Sequence, residues 1–206
     1  MILRVILTSR RVVIYLATIV LLSAVSWLLG KTGILINLAF PRPQIRLPYP
    51  EICAVLGGAL GAVILRPRFW EWDRVASGRA SIVAAAFALF GSVAPAVIVT
   101  AGALALPAGS PVAWRICNAV VMCAVIFLCS PYLGGAVTGA AAIVLYFAHG
   151  LVNNLWHNLS FVPITRLPNH NTHWITASAL IALAGIAHYR TRGATAWSQR
   201  MFARDE

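Results

Sequence analysis

Long apolar runs alternate along the chain with short polar stretches that carry arginine. Six apolar runs stand out, at residues 12–29, 51–65, 80–106, 112–129, 133–152 and 174–189. Most approach the roughly 20 residues that a helix needs to cross a hydrocarbon core, although the second run is short. None shows the alternation over about ten residues that marks the strands of a transmembrane barrel. In lipid the backbone N–H and C=O groups must be satisfied within the segment, so continuous apolar runs predict helices. The pattern therefore predicts an all-α fold. A single domain over residues 1–206 forms a bundle of about six transmembrane helices, with a polar loop at 66–79 on one side and loops at 30–50 and 153–173 on the other.

Composition fits this pattern. Of 206 residues, 60% are hydrophobic and 10% charged. A soluble domain has about 45–50% apolar and about 25% charged residues. So few charges cannot cover a water-soluble surface, and the surplus apolar surface requires a lipid bilayer. The first run follows Arg4, Arg10 and Arg11, as in a signal peptide, but it is long for one and lacks a clear small-residue cleavage site. It reads as a retained anchor.

The basic residues set the expected orientation, because cytoplasmic loops carry the excess of Lys and Arg. With the N-terminus inside, the inner segments hold Arg4, Arg10, Arg11, Arg66, Arg68, Arg74, Arg79, Arg190, Arg192, Arg200 and Arg204. The outer segments hold Lys31, Arg42, Arg46, Arg115 and Arg166. The excess on one side predicts both termini in the cytoplasm. The net charge of +11 is then a topology signal. No basic stripe lies on a soluble module, so nucleic acid is not an expected partner.

Small residues mark expected helix contacts. Gly57 and Gly61 in the second run, and Gly135 and Gly139 in the fifth, are spaced by four, which lets backbones approach. Pro95 interrupts the third run and is expected to bend it or free a carbonyl near Gly91, as a packing kink or a functional hinge. Arg115 and Asn118 lie near the outer end of the fourth run, three apart on one helical face. Both are candidates for a pathway or for packing, and Arg115 can also snorkel to the surface. Cys53, Cys117, Cys123 and Cys129 fall within apolar runs without metal or redox spacing and read as small buried residues.

Three connections hold the remaining candidate chemistry. The cytoplasmic loop contains Phe69, Trp70, Glu71, Trp72, Asp73 and Arg74. It can lie along the membrane surface with its tryptophans at the headgroups. Anionic lipid does not call for acids, so Glu71 and Asp73 favour a docking site for a soluble protein. The outer segment at 153–173 is rich in Asn and His, and His157, His170 and His173 are weak candidate metal ligands, because their spacing matches no strong motif. No metal or other cofactor is expected. The Pro-rich stretch at 32–50 cannot be a regular helix throughout and reads as an extended or partly re-entrant outer connection.

Enzyme motifs are missing. The chain has no His-Glu-x-x-His, no Gly-x-x-x-x-Gly-Lys and no Gly-x-Ser-x-Gly. Acids are confined to five positions, and only Glu51 touches a run, at its edge. A proton-coupled pump needs an intramembrane carboxylate. On this reading, energy for any transport comes from elsewhere.

Two stretches carry a resemblance: Leu47-Pro48-Tyr49-Pro50-Glu51 through Gly57-Gly58-Ala59, and Leu65-Arg66-Pro67-Arg68-Phe69-Trp70-Glu71-Trp72-Asp73-Arg74. With Trp114-Arg115-Ile116-Cys117-Asn118, Trp174 and Arg190-Thr191-Arg192-Gly193, they resemble small six-span actinobacterial permease components of ATP-binding-cassette transporters. The Asn/His segment is richer than that pattern. The resemblance implies a subunit of a bacterial plasma membrane with no nucleotide site of its own. A separate ATPase would dock on residues 69–74, a second membrane subunit, alike or different, would complete the pathway, and an apolar or amphipathic compound would be exported. A non-transporting scaffold or immunity subunit of a larger membrane complex is the alternative, and the shortage of intramembrane polar groups fits it equally.

Overall fold

A computed structural model describes residues 11–37, 45–66, 79–107, 109–155 and 172–198. Seven helices and one hairpin make up the regular structure of these residues. The helices are α1 (Val12–Leu28), α2 (Tyr49–Ile64), α3 (Arg79–Val93), α4 (Ala96–Ala103), α5 (Ala113–Leu133), α6 (Gly135–Leu155) and α7 (Trp174–Thr191). Strands β1 (Gly33–Ile36) and β2 (Ile45–Pro48) pair antiparallel, with Gly33 opposite Pro48 and Ile36 opposite Ile45. The hairpin amends the all-helical expectation. The stretch read as an extended outer connection buries Ile36 and Leu47 instead of lying wholly on the surface.

Among the described residues, three segments are long and apolar enough to cross a membrane: Arg79–Ala103, Ala113–Leu133 and Gly135–Val152. Val12–Leu28 and Tyr49–Ile64 are shorter apolar helices. Apolar side chains cover the outside of the bundle. On α1, Val13, Ile14, Leu16, Val20, Leu21 and Leu28 all face outward, and Ile175 of α7 is 89% exposed. An apolar surface of this extent marks a protein that meets lipid or another protein.

Proline and glycine account for the helix boundaries. The third run splits into α3 and α4 at Ala94 and Pro95, because proline has no N–H for the ladder and its ring crowds the preceding turn. The helix resumes with Ile98 N–H donating to the Pro95 carbonyl. Pro131, by contrast, lies inside α5, which continues to Leu133, beyond the boundary at 129 that the sequence pattern sets. Gly134 (φ 84°) then reverses the chain in a single residue between α5 and α6. An L side chain would be strained at that φ.

Helices α2 and α5 form the centre. α2 packs on α1, α4, α5 and α6, and α5 packs on α2, α3, α4, α6 and α7. Contacts between α2 and α6 are close because Cβ atoms are absent: a Cβ at Gly139 would lie 2.7 Å from that of Ala59, and one at Gly135 would lie 2.5 Å from the Ala62 carbonyl oxygen. Gly57 and Gly61 face the other side of α2, against Ile98 and the Tyr15 ring. Tyr15 at the start of α1 therefore meets the end of α2, and the two helices run antiparallel. One end of the bundle holds Glu51 and the hairpin; the other holds Arg66 and the end of α7.

Candidate functional site

Two polar clusters lie among the described residues inside the bundle, one toward each end. The first centres on Glu51. Pro48 and Pro50 open α2, with fixed φ angles suited to a helix start. Glu51 follows in the first turn, where a negative charge opposes the positive end of the helix dipole. A helix edge need not be an edge of the bundle, however. The hairpin precedes α2 and fills the end of the bundle, so the first turn of α2 lies inside the protein.

Glu51 is 0% exposed. Tyr146 Oη donates to Glu51 Oε2 at 2.8 Å, and Asn118 Nδ2 approaches the same oxygen at 3.5 Å. Tyr146 is the twelfth of the 21 residues of α6, and Asn118 is the sixth of the 21 in α5. Three helices thus place one carboxylate and two neutral donors together at mid-depth of α6. Burying such a carboxylate is costly without hydrogen bonds, and a hydrogen bond to a charged group contributes about 1.5–3 kcal/mol. The sequence pattern places Glu51 at the edge of its run; the structure buries it inside the bundle.

The hairpin closes this end. Leu47 and Ile36 pack toward Gly150 of α6, and Asn154 Nδ2 approaches the Ile36 carbonyl at 3.5 Å. Tyr146, Gly150 and Asn154 are spaced by four, so one face of α6 serves both the carboxylate and the hairpin.

The second cluster surrounds His188. Pro131 cannot donate to the Phe127 carbonyl four residues back. His188 Nε2 lies 2.8 Å from that carbonyl and 3.2 Å from Ser130 Oγ, and Ser130 Oγ also donates to the Phe127 carbonyl at 3.2 Å. A carbonyl only accepts, which assigns the proton to Nε2. After α7, Arg192 and Gly193 adopt positive φ and turn the chain back over this cluster. Thr195 N–H donates to the Pro131 carbonyl at 2.8 Å, and Arg66 Nη2 donates to the Ser198 carbonyl at 3.4 Å. A cavity of about 20 Å³, room for one water, lies among Arg66, Ser130, His188 and Ser198. Partial burial lowers the Arg66 pKa from its ordinary value, and the guanidinium keeps its charge.

Of the residues singled out in the sequence, Asn118 joins the Glu51 cluster and Arg115 does not. Arg115 is half-buried, with its guanidinium 5.2 Å from the Trp114 ring centroid. Pro95 marks the α3–α4 break. Residues 69–74, His157 and His170 lie outside the described residues. His173 is half-buried at the start of α7. Among the described residues, no group of His, Cys, Asp or Glu could hold a metal. Glu51 and Tyr146 escaped sequence reasoning. The available signal was an acid opening an apolar run in a chain with only five acids.

Compared with known protein families, curated proteins and solved structures, the chain matches none.

Proposed function

We propose that this chain is a multi-pass protein of a bacterial plasma membrane and the transmembrane subunit of an ATP-driven transporter. It crosses six times with both termini in the cytoplasm, counting α3 and α4 as one bent span. The arginine distribution and the apolar exterior support this reading. α1 and α2 rise about 24–26 Å, short of the roughly 30 Å hydrocarbon core, and the bilayer thins locally around them. The chain performs no catalytic step itself. A separate ATPase docks on Phe69, Trp70, Glu71, Trp72, Asp73 and Arg74, a second membrane subunit completes the pathway, and the cargo is an apolar or amphipathic compound.

The observation that carries the reading is the position of α2. This central helix holds Glu51 in its first turn and leads at its other end into the segment that begins at residue 67. A partner pulling on that segment moves α2 as a rod and shifts Glu51 against Tyr146 and Asn118. The test is purification from native membranes in mild detergent, with every co-purifying protein identified. An ATPase held in fixed stoichiometry, and lost when Trp70, Glu71, Trp72 and Asp73 are replaced by Ser, is the expected result.

The second reading, a non-transporting scaffold or immunity subunit, draws support from the packing between the two polar clusters. Ala54, Gly58, Ala62, Cys123 and Ile126 fill that interval with apolar contact. A chain that purifies alone, or with a large assembly lacking an ATPase, favours this reading.

A further inference from the structure

We propose that the N-terminal end of α5 binds a phosphate oxyanion, carried by the headgroup of an amphipath or free in solution. Trp114, in the first turn of this helix, is 4% exposed, yet its indole N–H has no hydrogen-bond partner among the described residues. Arg115 follows it, half-buried, and its Nε–H is likewise buried without a partner among them. The guanidinium lies over the indole, 5.2 Å from the ring centroid, so the two donors belong to one spot. Neither group can accept a hydrogen bond, and a buried donor without an acceptor is costly. What the spot lacks is an acceptor.

The backbone adds to the same chemistry. The first N–H groups of a helix have no intrahelical partners and carry the positive end of its dipole. No side chain caps the start of α5, and no acid stands in its first turn. α7 begins alongside. The Cys117 thiol, one turn along from Trp114, meets the backbone of His173, and the helix that His173 opens also has neither a side-chain cap nor an acid in its first turn. Helical side chains tilt toward the N-terminus of their helix, which turns Trp114 and Arg115 toward these N–H groups.

The neighbouring sequence does not supply the missing charge. No Asp or Glu occurs between residues 74 and 204. Glu51 meets α5 at Asn118, one turn beyond Arg115. The other four acids, at 71, 73, 205 and 206, follow in sequence the C-terminal ends of α2 and α7, away from the start of α5. The ligand must therefore bring the negative charge. The fork of an arginine suits carboxylate and phosphate alike, but a phosphate has oxygens enough to take the guanidinium, the indole and a backbone N–H together. Arg115 is the point of entry: as the half-buried guanidinium turns to the phosphate, it uncovers the indole. In a membrane-spanning chain, on which reading this inference rests, a helix start of this kind lies at the level of the headgroups.

The test is ¹H–¹⁵N NMR of the purified full chain, labelled at the indoles of its seven tryptophans, in maltoside micelles that contain no phosphate. Trp114→Phe assigns the Trp114 peak. Dihexanoyl phosphatidylglycerol, inorganic phosphate or both are expected to move that peak downfield until it saturates. Dihexanoylglycerol, with the same acyl chains and no phosphate, is expected to leave it in place. A response to the lipid alone means a headgroup site, a response to inorganic phosphate alone means a site for the free anion, and a response to both means that the phosphate is read whatever carries it. Arg115→Gln is expected to weaken the response about tenfold or more, and Arg115→Lys, which keeps the charge and loses the fork, to weaken it less. A wild-type spectrum in which neither phosphate compound moves an indole peak overturns the proposal, and that result needs no variant to fold. A response that survives Arg115→Gln unchanged, or that dihexanoylglycerol reproduces, also overturns it. The experiment uses the chain alone, so its failure leaves the ATPase partnership standing, and the reverse also holds.

Discussion

Tyr146, in the middle of α6, donates its hydroxyl to the carboxylate of Glu51, in the first turn of α2, across 95 residues of sequence. The bond joins two helices that also approach closely at Gly135 and Gly139. Tyr146→Phe removes the hydroxyl and keeps the ring. It should lower stability by about 1–3 kcal/mol, read as a lower denaturant midpoint in mixed micelles. Asn118→Ala should cost less, because its bond to the same oxygen is at the distance limit. An unchanged midpoint for Tyr146→Phe would show that the bond contributes nothing.

His188 and Pro131 should be coupled. His188→Ala removes a donor to the Phe127 carbonyl and should cost about 1–3 kcal/mol. Pro131→Ala supplies a backbone N–H that can close the helical bond to that same carbonyl. In the double variant the loss from His188→Ala should shrink, so a double-mutant cycle should give a non-zero coupling energy. Strict additivity would remove Pro131 from the explanation.

The α2–α6 contact should be intolerant of size. Gly139→Val places a branched side chain where even a Cβ would lie 2.7 Å from that of Ala59. Overpacking of this kind costs about 1–3 kcal/mol, occasionally more. Val at Ala140, one residue along and exposed, should be nearly neutral. Equal midpoints for the two variants would mean that α6 does not lie on α2 in this register.

The helical, apolar character of the chain was legible in the run pattern, because lipid leaves the backbone few choices. The break at Pro95 was legible too. The passage of α5 through Pro131 was not legible, because the carbonyl that the proline leaves open is bonded by His188 and Ser130, one remote and one local. The hairpin was hidden by a Pro-rich stretch whose strands are four residues each. Glu51 was dismissed for its place at the edge of a run. Depth within a bundle depends on what packs over a helix end, and no single run records that. Asn118 was visible as a polar residue within a span. Its partners, on two other helices, were not.

The claim that most needs testing is that α2 couples the ATPase-docking segment to the Glu51 cluster. The direct measurement is ATP turnover by the complex purified from native membranes, with the wild-type chain and with Glu51→Gln. The account predicts that the ATPase stays bound in the same stoichiometry while its turnover changes. A preparation with no ATPase, or one whose turnover is identical in both, would contradict it.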